Sequence, residues 1–304
     1  MTTTQVPRHL GLIGLGRMGL GVAQRLRRSG IRVHGYAPST ASRAKAKKVG
    51  VKTYQSTSEL LSALPAPRLL WLLVPEAAID GILDRKTGIG ALLRRGDIVV
   101  DGGNTFFRHS QRRARALAKR GIAFIDCGTS GGVHGAVNGF CLMVGGERRA
   151  VKRLEPIFRR LATPGGYGYF GPSGAGHFVK SVHNIIEYGY LQALGEGIQL
   201  LKDSPYRIDV HRAASVWEHG SVVRSWLVEL ATVALGRPDF QKLSDVIGSV
   251  TTQELERTRR AVGTPAPAFA AAVRERRSRS PKLRFSRRLI AAIRREFGGH
   301  AVKK

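Results

Sequence analysis

The chain has 304 residues, 42% of them hydrophobic and 23% charged, which is typical of a soluble globular enzyme and argues against a disordered or fibrous protein. Its longest apolar run, LLWLLV at 69–74, is far shorter than the roughly 20 residues that span a membrane. Fifty Lys and Arg residues against 21 Asp and Glu give a formal net charge of +29, which favours an anionic partner.

The N-terminal segment and the two cysteines predict a cytoplasmic protein. Residues 1–9, MTTTQVPRH, lack the apolar core of a signal peptide. Cys127 and Cys141 show neither a zinc-binding spacing nor a disulfide framework. We therefore expect both to be small buried residues in a reducing compartment.

The positive charge is concentrated towards the C-terminus, where residues 257–304 hold fifteen Lys and Arg against two acids. Such a region suits a nucleic acid or a phosphorylated small molecule, and it is also typical of an ordinary solvated surface. The basic runs lack interleaved aromatic residues, and no helix-turn-helix, zinc-finger or RNA-binding motif accompanies them. The pattern therefore argues against nucleic acid.

A glycine motif follows the first predicted strand, Leu10–Ile13. Gly14, Gly16 and Gly19 form the pattern GxGxxG and open a helix whose apolar residues include Met18. The first glycine permits a tight turn, the second lets the backbone approach a pyrophosphate, and the third lets the helix pack on the strand. Free N–H groups at the start of the helix would bind the phosphates. This context predicts a dinucleotide site.

The end of the second predicted strand, GYAPST, indicates which dinucleotide is preferred. An NAD site usually places a carboxylate there for the ribose hydroxyls, yet no Asp or Glu occurs between Gly14 and Glu59. Ser39, Thr40 and Arg43 occupy the region instead, and hydroxyls with a guanidinium suit a 2′-phosphate. We therefore expect NADP to be preferred over NAD.

Strand patterns recur in RLLWLLVP, DIVVDGGN and AFIDCGTSGG, separated by helical stretches. This alternation predicts an α/β Rossmann domain with a doubly wound, mostly parallel sheet over residues 1–172. In such sheets ligands lie beyond the carboxyl ends of the strands. The residues expected there are Val74, Pro75, Asn104, Ser130, Gly131 and Gly132.

Residues 173–304 carry helical patterns, which predict an all-α second domain. The longest helix is expected at about 174–203, followed by shorter ones around 209–219, 221–236, 250–262, 266–278 and 284–296.

The long helix carries a polar stripe within the segment GHFVKSVHNIIEYG. Lys180, His183, Asn184, Glu187 and Tyr188 recur at the spacing of a buried face. Lys180 and Glu187 would lie roughly 10 Å apart along nearly the same side of the helix, so they could bracket one small molecule. A partly desolvated lysine can act as a general base and the glutamate as a separate acid. An exposed ion pair between them is the alternative.

Three segments resemble the 6-phosphogluconate dehydrogenase family, and more closely its short bacterial form. They are DGGNTFFRHSQRRARALAKRGIAFIDCGTSGGVHGAVNGFCLMVGG, GPSGAGHFVKSVHNIIEYG and REFGGHAVKK, and the likeness covers nearly the whole chain. The resemblance implies oxidative decarboxylation of 6-phospho-D-gluconate to D-ribulose 5-phosphate and CO2. It also implies that NADP or NAD is reduced and that no metal takes part.

The resemblance assigns roles to individual residues. Lys180 would deprotonate the 3-hydroxyl and then assist the loss of CO2, and Glu187 would protonate C1 of the resulting enediol. Arg294 and His300 match residues that the family takes from the neighbouring subunit, which implies a homodimer or homotetramer with shared active sites. The other substrate positions would be Asn104, Ser130, Gly131, Gly132, His183, Asn184 and Tyr188. The cofactor positions would be Gly14, Gly16, Met18, Gly19, Ser39, Thr40, Arg43, Val74, Pro75 and Asn104.

The chain departs from the family in its second half. Short forms carry DSGEGRWT where this sequence reads DVIGSVTTQELERTRR, and His134 replaces a tryptophan. The family's phosphate-binding arginine has four candidates here, Arg274, Arg276, Arg277 and Arg279. Two other functions therefore stay open: a related β-hydroxyacid dehydrogenase acting on another sugar acid, and a nucleotide- or nucleic-acid-binding relative with little turnover.

Overall fold

The fold is seen in a computed structural model that describes residues 7–248 and 251–299. The chain forms two compact units, Met1–Ser181 and Val182–Lys304. The described residues of the first unit form eight strands, β1 His9–Ile13, β2 Arg32–Tyr36, β3 Lys52–Thr53, β4 Leu69–Leu72, β5 Ile98–Asp101, β6 Ala123–Ser130, β7 Phe140–Gly146 and β8 Ala162–Gly171. Its helices are α1 Arg17–Arg28, α2 Thr40–Lys48, α3 Thr57–Ser62, α4 Glu76–Leu83, α5 Phe107–Ala118, α6 Gly135–Asn138 and α7 Arg148–Leu161. Helix α8, Ala175–Asp203, begins in the first unit and continues into the second.

The eight strands form one sheet in the order β3-β2-β1-β4-β5-β6-β7-β8. All neighbours from β3 to β6 are parallel, whereas β7 runs antiparallel to β6 and pairs in parallel with β8. The predicted doubly wound, mostly parallel sheet is confirmed. Strands β3, β7 and β8 were not predicted: β3 has only two residues, and glycines interrupt β8, ATPGGYGYFG, which has little strand propensity.

Burial on both faces of the sheet explains the apolar strand patterns. Every residue of β4 and β5 is buried. Trp71 and Val100 belong to the hydrophobic cluster on one face, while Leu70 and Val99 belong to the cluster on the other. Strands covered by helices on both sides read as continuous apolar runs rather than as alternating ones.

One prediction about the cysteines was wrong. Cys127 is buried in the sheet as expected, but Cys141 is exposed. On β7 the side chains alternate between the two faces, and Phe140 and Leu142 take the core-facing positions on either side of Cys141. Both thiols are free.

The second unit is helical over its described residues, as predicted. After α8 come α9 Val210–Trp217, α10 Trp226–Leu235, α11 Thr252–Val262, α12 Pro267–Arg277 and α13 Arg284–Gly298. Each lies within a few residues of its expected position. Leu191, Leu230, Leu289 and Ile293 are among the residues of the main core, which joins α8, α10 and α13. Within residues 7–248 and 251–299 no helix has the length and hydropathy of a membrane span.

Candidate functional site

The glycine motif has the backbone geometry that its pattern predicts. Gly14 has a φ of +103°, and a Cβ on it would lie 2.1 Å from the carbonyl oxygen of Leu73. A Cβ on Gly19 would lie 1.9 Å from the carbonyl oxygen of Gly14. Any side chain at either position would collide with backbone, so the turn and the helix approach both depend on glycine.

Gly16 is different, because a Cβ there would meet no atom within 4 Å. Nothing in the described protein therefore requires glycine at this position. The residue is exposed and immediately precedes α1, whose first N–H groups face no intrahelical acceptor. Close approach of a pyrophosphate is a sufficient reason for a glycine here, and the residues present fit a dinucleotide.

Arg43 organises the turn after β2. Its guanidinium donates to the carbonyl oxygens of Ala37 and Pro38 at 2.6 and 2.8 Å, to Thr40 Oγ1 at 3.1 Å and to Gln55 Oε1 at 3.0 Å. Four of its five N–H groups are therefore used inside the protein. The Ser39 hydroxyl caps α2 by accepting from the backbone of Ser42. Hydroxyl groups and a positive charge therefore lie at this turn, and hydrogen bonds within the protein fix the side chain of Arg43.

The other predicted ligand positions follow neighbouring strands of the sheet. Val74 and Pro75 come after β4, Asn104 after β5, and Ser130 ends β6. Because these strands are parallel neighbours, their carboxyl ends lie at one edge, as expected. Gly131 and Gly132 have φ values of +112° and +55°, so this turn also favours glycine.

A buried carboxylate shapes the turn that carries Asn104. Asp101, fully buried at the end of β5, accepts from the backbone N–H of Gly103 at 3.1 Å and from the Thr105 hydroxyl at 3.0 Å. Arg113 on α5 lies 3.7 Å from Asp101 and donates to Asp80 at 2.8 Å. We call Asp80, Asp101 and Arg113 the paired cluster, since opposite charges meet in it.

Lys180 lies against the end of β6. A Cβ on Gly128 would be 2.3 Å from the Cβ of Lys180, so glycine lets the lysine come this close. Asp126, buried on the same strand, accepts from the backbone N–H groups of Gly174 at 2.7 Å and His177 at 2.9 Å. By accepting these two hydrogen bonds, the Asp126 carboxylate holds the start of α8 against β6. It thereby fixes the position of Lys180 relative to the sheet.

A buried Ser–His pair adds a second anchor to the same turn. The side chains of Ser110 on α5 and His177 on α8 share a hydrogen bond of 2.7 Å, and both residues are buried. Phe107 and Phe178 pack edge to face beside them, with ring centroids 5.4 Å apart. Helix α5, which starts just after Asn104, is thereby tied to the turn that precedes Lys180.

The polar stripe of α8 is the buried face, as its spacing predicts. Lys180 and Asn184 are each 7% exposed and Tyr188 is 3% exposed, whereas the apolar side chain of Ile186 is 65% exposed. His183 and Glu187 are half-buried, and the His183 ring lies 3.1 Å from the amide oxygen of Asn184. A helix that buries its polar side chains and exposes an isoleucine is not organised by apolar packing alone.

The helical unit holds a cluster of buried arginines around Tyr188. The guanidinium of Arg276 stacks 3.5 Å from the centre of the Tyr188 ring. The Tyr188 hydroxyl lies 3.3 Å from Thr251 Oγ1 and 3.2 Å from Thr252 Oγ1. Arg294 is buried nearby and donates to the carbonyl oxygen of Gly248. We call Tyr188, Arg276 and Arg294 the arginine–tyrosine cluster.

Two positive charges meet in this cluster. Burial lowers the pKa of Arg276 to about 10, and the charge of Arg294 acts in the same direction. Burial also lowers the pKa of Arg294, while Tyr188 and Glu187 oppose that shift. Both terminal nitrogens of Arg276 are buried without a hydrogen-bond partner among the described residues. Buried charges without partners are costly, so the cluster is suited to an anion.

The structure distinguishes the four candidate arginines of α12 and its end. Arg276 is buried, whereas Arg274, Arg277 and Arg279 are exposed. The segment DVIGSVTTQELERTRR, which departs from the family's sequence, contributes Thr251 and Thr252, whose hydroxyls contact Tyr188. His134 is exposed, and the predicted site residue His300 lies outside the described residues.

Sequence reasoning missed the buried residues that hold the site together, namely Asp101, Ser110, Asp126 and His177. The two aspartates did leave a signal. Each is a lone carboxylate at or within an otherwise apolar strand, in IVVD and in AFIDC. A charged residue in such a strand requires a buried partner.

Comparison with known proteins establishes the family. A model of the NAD binding domain of 6-phosphogluconate dehydrogenase matches residues 9–171, and one of the 6-phosphogluconate dehydrogenase C-terminal domain matches residues 176–277. The chain belongs to the 6-phosphogluconate dehydrogenase family. The NAD(+)-dependent, decarboxylating 6-phosphogluconate dehydrogenase of Haloferax volcanii is 41% identical over 307 residues, which cover 97% of this chain and 99% of that protein. YqeC of Bacillus subtilis, which carries the 6-phosphogluconate dehydrogenase name provisionally, is 37% identical over 97% of this chain and 99% of its own.

Solved structures show the same architecture. Plasmodium falciparum 6-phosphogluconate dehydrogenase, studied in its apo form and with NADP+ and 6-phosphogluconate, superposes with a TM-score of 0.78 at 27% identity. The match covers 88% of this chain and 61% of that one. A 3-hydroxyisobutyrate dehydrogenase from Salmonella typhimurium gives a TM-score of 0.76 at 23% identity, which shows a shared fold.

Proposed function

We propose that this protein catalyses oxidative decarboxylation of 6-phospho-D-gluconate to D-ribulose 5-phosphate and CO2, with reduction of NADP or NAD. The observation that carries the proposal is the buried polar stripe of α8, with Lys180 at one end and Tyr188 of the arginine–tyrosine cluster at the other. Membership of the family supports it. We further propose the short form, since two relatives match over 99% of their own lengths.

In the proposed mechanism Lys180 takes the proton of the 3-hydroxyl, so that C3 becomes a carbonyl as its hydride departs. A bound nicotinamide dinucleotide supplies the hydride acceptor. The protonated lysine then hydrogen-bonds the new carbonyl oxygen, which draws electrons from the C1–C2 bond as CO2 leaves. Glu187 donates a proton to C1 of the resulting enediol, and the ketose forms. Asn104, Ser130, Gly131, Gly132, His183 and Asn184 are proposed to bind the sugar acid.

The arginine–tyrosine cluster is proposed to bind the 6-phosphate. Two guanidiniums match the charge of a phosphate dianion, and the unpartnered nitrogens of Arg276 supply donors for its oxygens. Among the arginines of α12, Arg276 is therefore the proposed phosphate ligand. This cluster also favours a phosphorylated substrate over a simple hydroxyacid, which would leave the terminal nitrogens of Arg276 without an acceptor.

We propose that NADP is preferred over NAD, because no carboxylate stands after β2 and Arg43 is held there. The kcat/KM with NADP should exceed that with NAD. Arg43→Ala should cost NADP binding about 1.5–3 kcal/mol, the range for a hydrogen bond to a charged group. Arg43→Lys keeps the charge but loses the bonds to the turn, so it separates charge attraction from turn geometry. A tenfold preference of the wild type for NAD would contradict the proposal.

A homodimer or larger homo-oligomer is also proposed, in the cytoplasm. The exposed apolar face of α8 supports self-association. Ile186 is 65% exposed, and Tyr190, one turn further on, donates to the carbonyl oxygen of Val223 at 2.9 Å. Val223 and Trp226 are themselves 47% and 42% exposed, so the apolar surface is continuous. Sedimentation of Ile186→Lys against the wild type tests this, and an unchanged mass would contradict it.

The direct test of function combines an assay with two variants. Wild-type protein is incubated with 6-phosphogluconate and each nicotinamide cofactor while reduced cofactor and CO2 are followed. Lys180→Met should abolish cofactor reduction even in a single turnover, a loss at or beyond the 10²–10⁴-fold typical of a general base, estimated to order of magnitude. Glu187→Gln should still allow a first reduction but form ribulose 5-phosphate slowly.

The matched controls lie on the same helix. Lys202→Met removes an exposed lysine and Glu196→Gln alters a glutamate that accepts from Gln192. Neither should change turnover. Equal, modest losses of turnover in Lys180→Met and Glu187→Gln, with a matching fall in melting temperature, would instead indicate an ion pair between the two residues. That result would contradict the catalytic assignment.

A further inference from the structure

Helix α5 begins without a cap from its own residues. Its N-cap is Phe106, which has no side-chain acceptor, and its first turn contains no acidic residue. In a capping box the third helical residue, a Glu or Gln, accepts from the N-cap N–H, but here that residue is His109. The acceptor comes from α4 instead: Glu76 Oε1 accepts from the backbone N–H of Phe106 at 3.1 Å. The same oxygen lies 2.6 Å from Nδ1 of His109. A carboxylate in this place also faces the positive end of the helix dipole.

The Glu76 contacts join two loops that carry proposed ligand residues. Glu76 follows Val74 by two residues in the loop after β4, and Phe106 follows Asn104 by two residues in the loop after β5. The two loops also approach each other directly, since a Cβ on Gly103 would lie 2.9 Å from the carbonyl oxygen of Val74. The separation of Val74 and Asn104 therefore depends on what holds these loops together.

A second contact between α4 and α5 lies one helical turn further from the loops. Asp80 follows Glu76 by four residues and accepts from Arg113 at 2.8 Å. Arg113 in turn follows His109 by four residues, so the two helices meet at successive turns. The Glu76 side chain is 19% exposed and that of Asp80 is 51% exposed. The contact nearest the loops is thus the one that water screens less.

We propose that Glu76 and His109 are positioning residues, which hold the loops after β4 and β5 at the separation that the dinucleotide and the sugar acid require. This inference rests on the proposed function. Glu76 acts through Val74, and its hydrogen bond to Phe106 acts through Asn104. Without the carboxylate the two loops lose this link, and a displacement of about 1 Å in a site can cost on the order of 100-fold in rate.

A double-mutant cycle tests whether the two residues act through one contact. Glu76→Ala should lower kcat/KM for 6-phosphogluconate by roughly 10–100-fold and weaken equilibrium binding of NADP. His109→Ala should have a smaller effect, because Phe106 keeps its acceptor. The double variant should be no worse than Glu76→Ala, since a shared contact can be lost only once. Losses that multiply in the double variant would overturn the inference.

Conservative variants separate positioning from a purely structural role. Glu76→Gln keeps an acceptor oxygen and should retain most of the activity. Glu76→Asp keeps the charge but withdraws the acceptor, so it should behave like Glu76→Ala and replaces that variant in the cycle if the alanine protein folds poorly. Arg112→Ala, the matched control, removes an exposed hydrogen bond to Asp80 between the same two helices and should leave the kinetics unchanged.

Two outcomes keep this inference apart from the proposed function. A Glu76→Ala protein with a lower melting temperature but normal kcat/KM and normal NADP binding would overturn the inference and leave the proposed function intact. An inactive wild type would overturn the proposed function. Binding of NADP or NAD requires no turnover, so in that case an unchanged dissociation constant in Glu76→Ala would still overturn the positioning role, and a weakened one would support it.

Discussion

The two buried charged clusters of this protein differ in how their charges are compensated. In the paired cluster of the nucleotide-binding unit, the guanidinium of Arg113 lies between Asp101 and Asp80, and Asp101 also accepts two hydrogen bonds. In the arginine–tyrosine cluster of the helical unit, Arg276 stacks on an aromatic ring, and both of its terminal nitrogens are buried without an acceptor among the described residues. In the first cluster the positive charge lies beside negative charges, whereas the second has an excess of positive charge.

The difference separates a structural cluster from the proposed binding cluster. A buried charge that is paired and hydrogen-bonded contributes to a defined local geometry, here the turn that carries Asn104. A buried charge that lacks a partner destabilises the free protein and gains most from a ligand. Removing charge from the two clusters should therefore have opposite effects on stability.

The largest expected effect is on the paired cluster. Asp101→Ala should lower the free energy of unfolding by about 3–5 kcal/mol, because it leaves the buried Arg113 without this partner and two donors without an acceptor. Asp101→Asn, which keeps one acceptor oxygen, should lose less. Denaturant titration measures both. A loss below 1 kcal/mol in the alanine variant would show that the cluster is not structural in this sense.

The arginine–tyrosine cluster should respond in activity rather than in stability. Arg276→Met should leave the melting temperature unchanged or raise it, since it removes a desolvated charge. It should also reduce kcat/KM for 6-phosphogluconate by about 10–150-fold, corresponding to 1.5–3 kcal/mol. Arg274→Ala, which removes an exposed charge from the same helix, is the control and should have little effect. A strongly destabilised Arg276→Met protein with normal kinetics would reverse the comparison.

Ligand-induced stabilisation gives a third, smaller effect. Inorganic phosphate should raise the melting temperature of the wild type, because binding to the folded state alone stabilises by about 2.7 kcal/mol at one hundred times the dissociation constant. The shift should largely disappear in Arg276→Met. An equal shift in both proteins, measured by scanning calorimetry, would indicate that phosphate acts elsewhere on this basic chain.

The smallest effect concerns Asp80, at the exposed end of the paired cluster. Hydrogen bonds from Arg113, and then from Arg112, lower the pKa of Asp80 to about 2, below its usual 3.8. Its contribution to stability is therefore complete above about pH 3.8 and is lost as the pH falls towards 2. Asp80 is half exposed, so Asp80→Asn should cost only about 0.2–1 kcal/mol at neutral pH. The difference from wild type should vanish near pH 2; a difference that persists there would refute this assignment.

The sequence alone predicted the features that depend on local pattern. Glycine spacing indicated the dinucleotide loop, alternating strands and helices indicated the parallel sheet, and helical periodicity placed the later helices within a few residues. The polar stripe of α8 could be predicted because its spacing matches the helix repeat. Three strands, β3, β7 and β8, escaped prediction; β3 has only two residues, and glycines weaken the strand propensity of β8.

Tertiary structure alone decided which of several residues of the same type are buried and which residues they contact. Four neighbouring arginines, Arg274, Arg276, Arg277 and Arg279, are equivalent in local sequence, yet only the packing of α12 against Tyr188 buries Arg276. The contact of Ser110 with His177 joins residues 67 positions apart, and that of Arg294 with Gly248 joins residues 46 apart. Periodicity describes one element at a time, whereas the partner of a buried charge is chosen by the contacts between elements. For that reason the type of chemistry could be inferred from the sequence, while the burial of Arg276, the proposed phosphate ligand, and the supports of Lys180 could not.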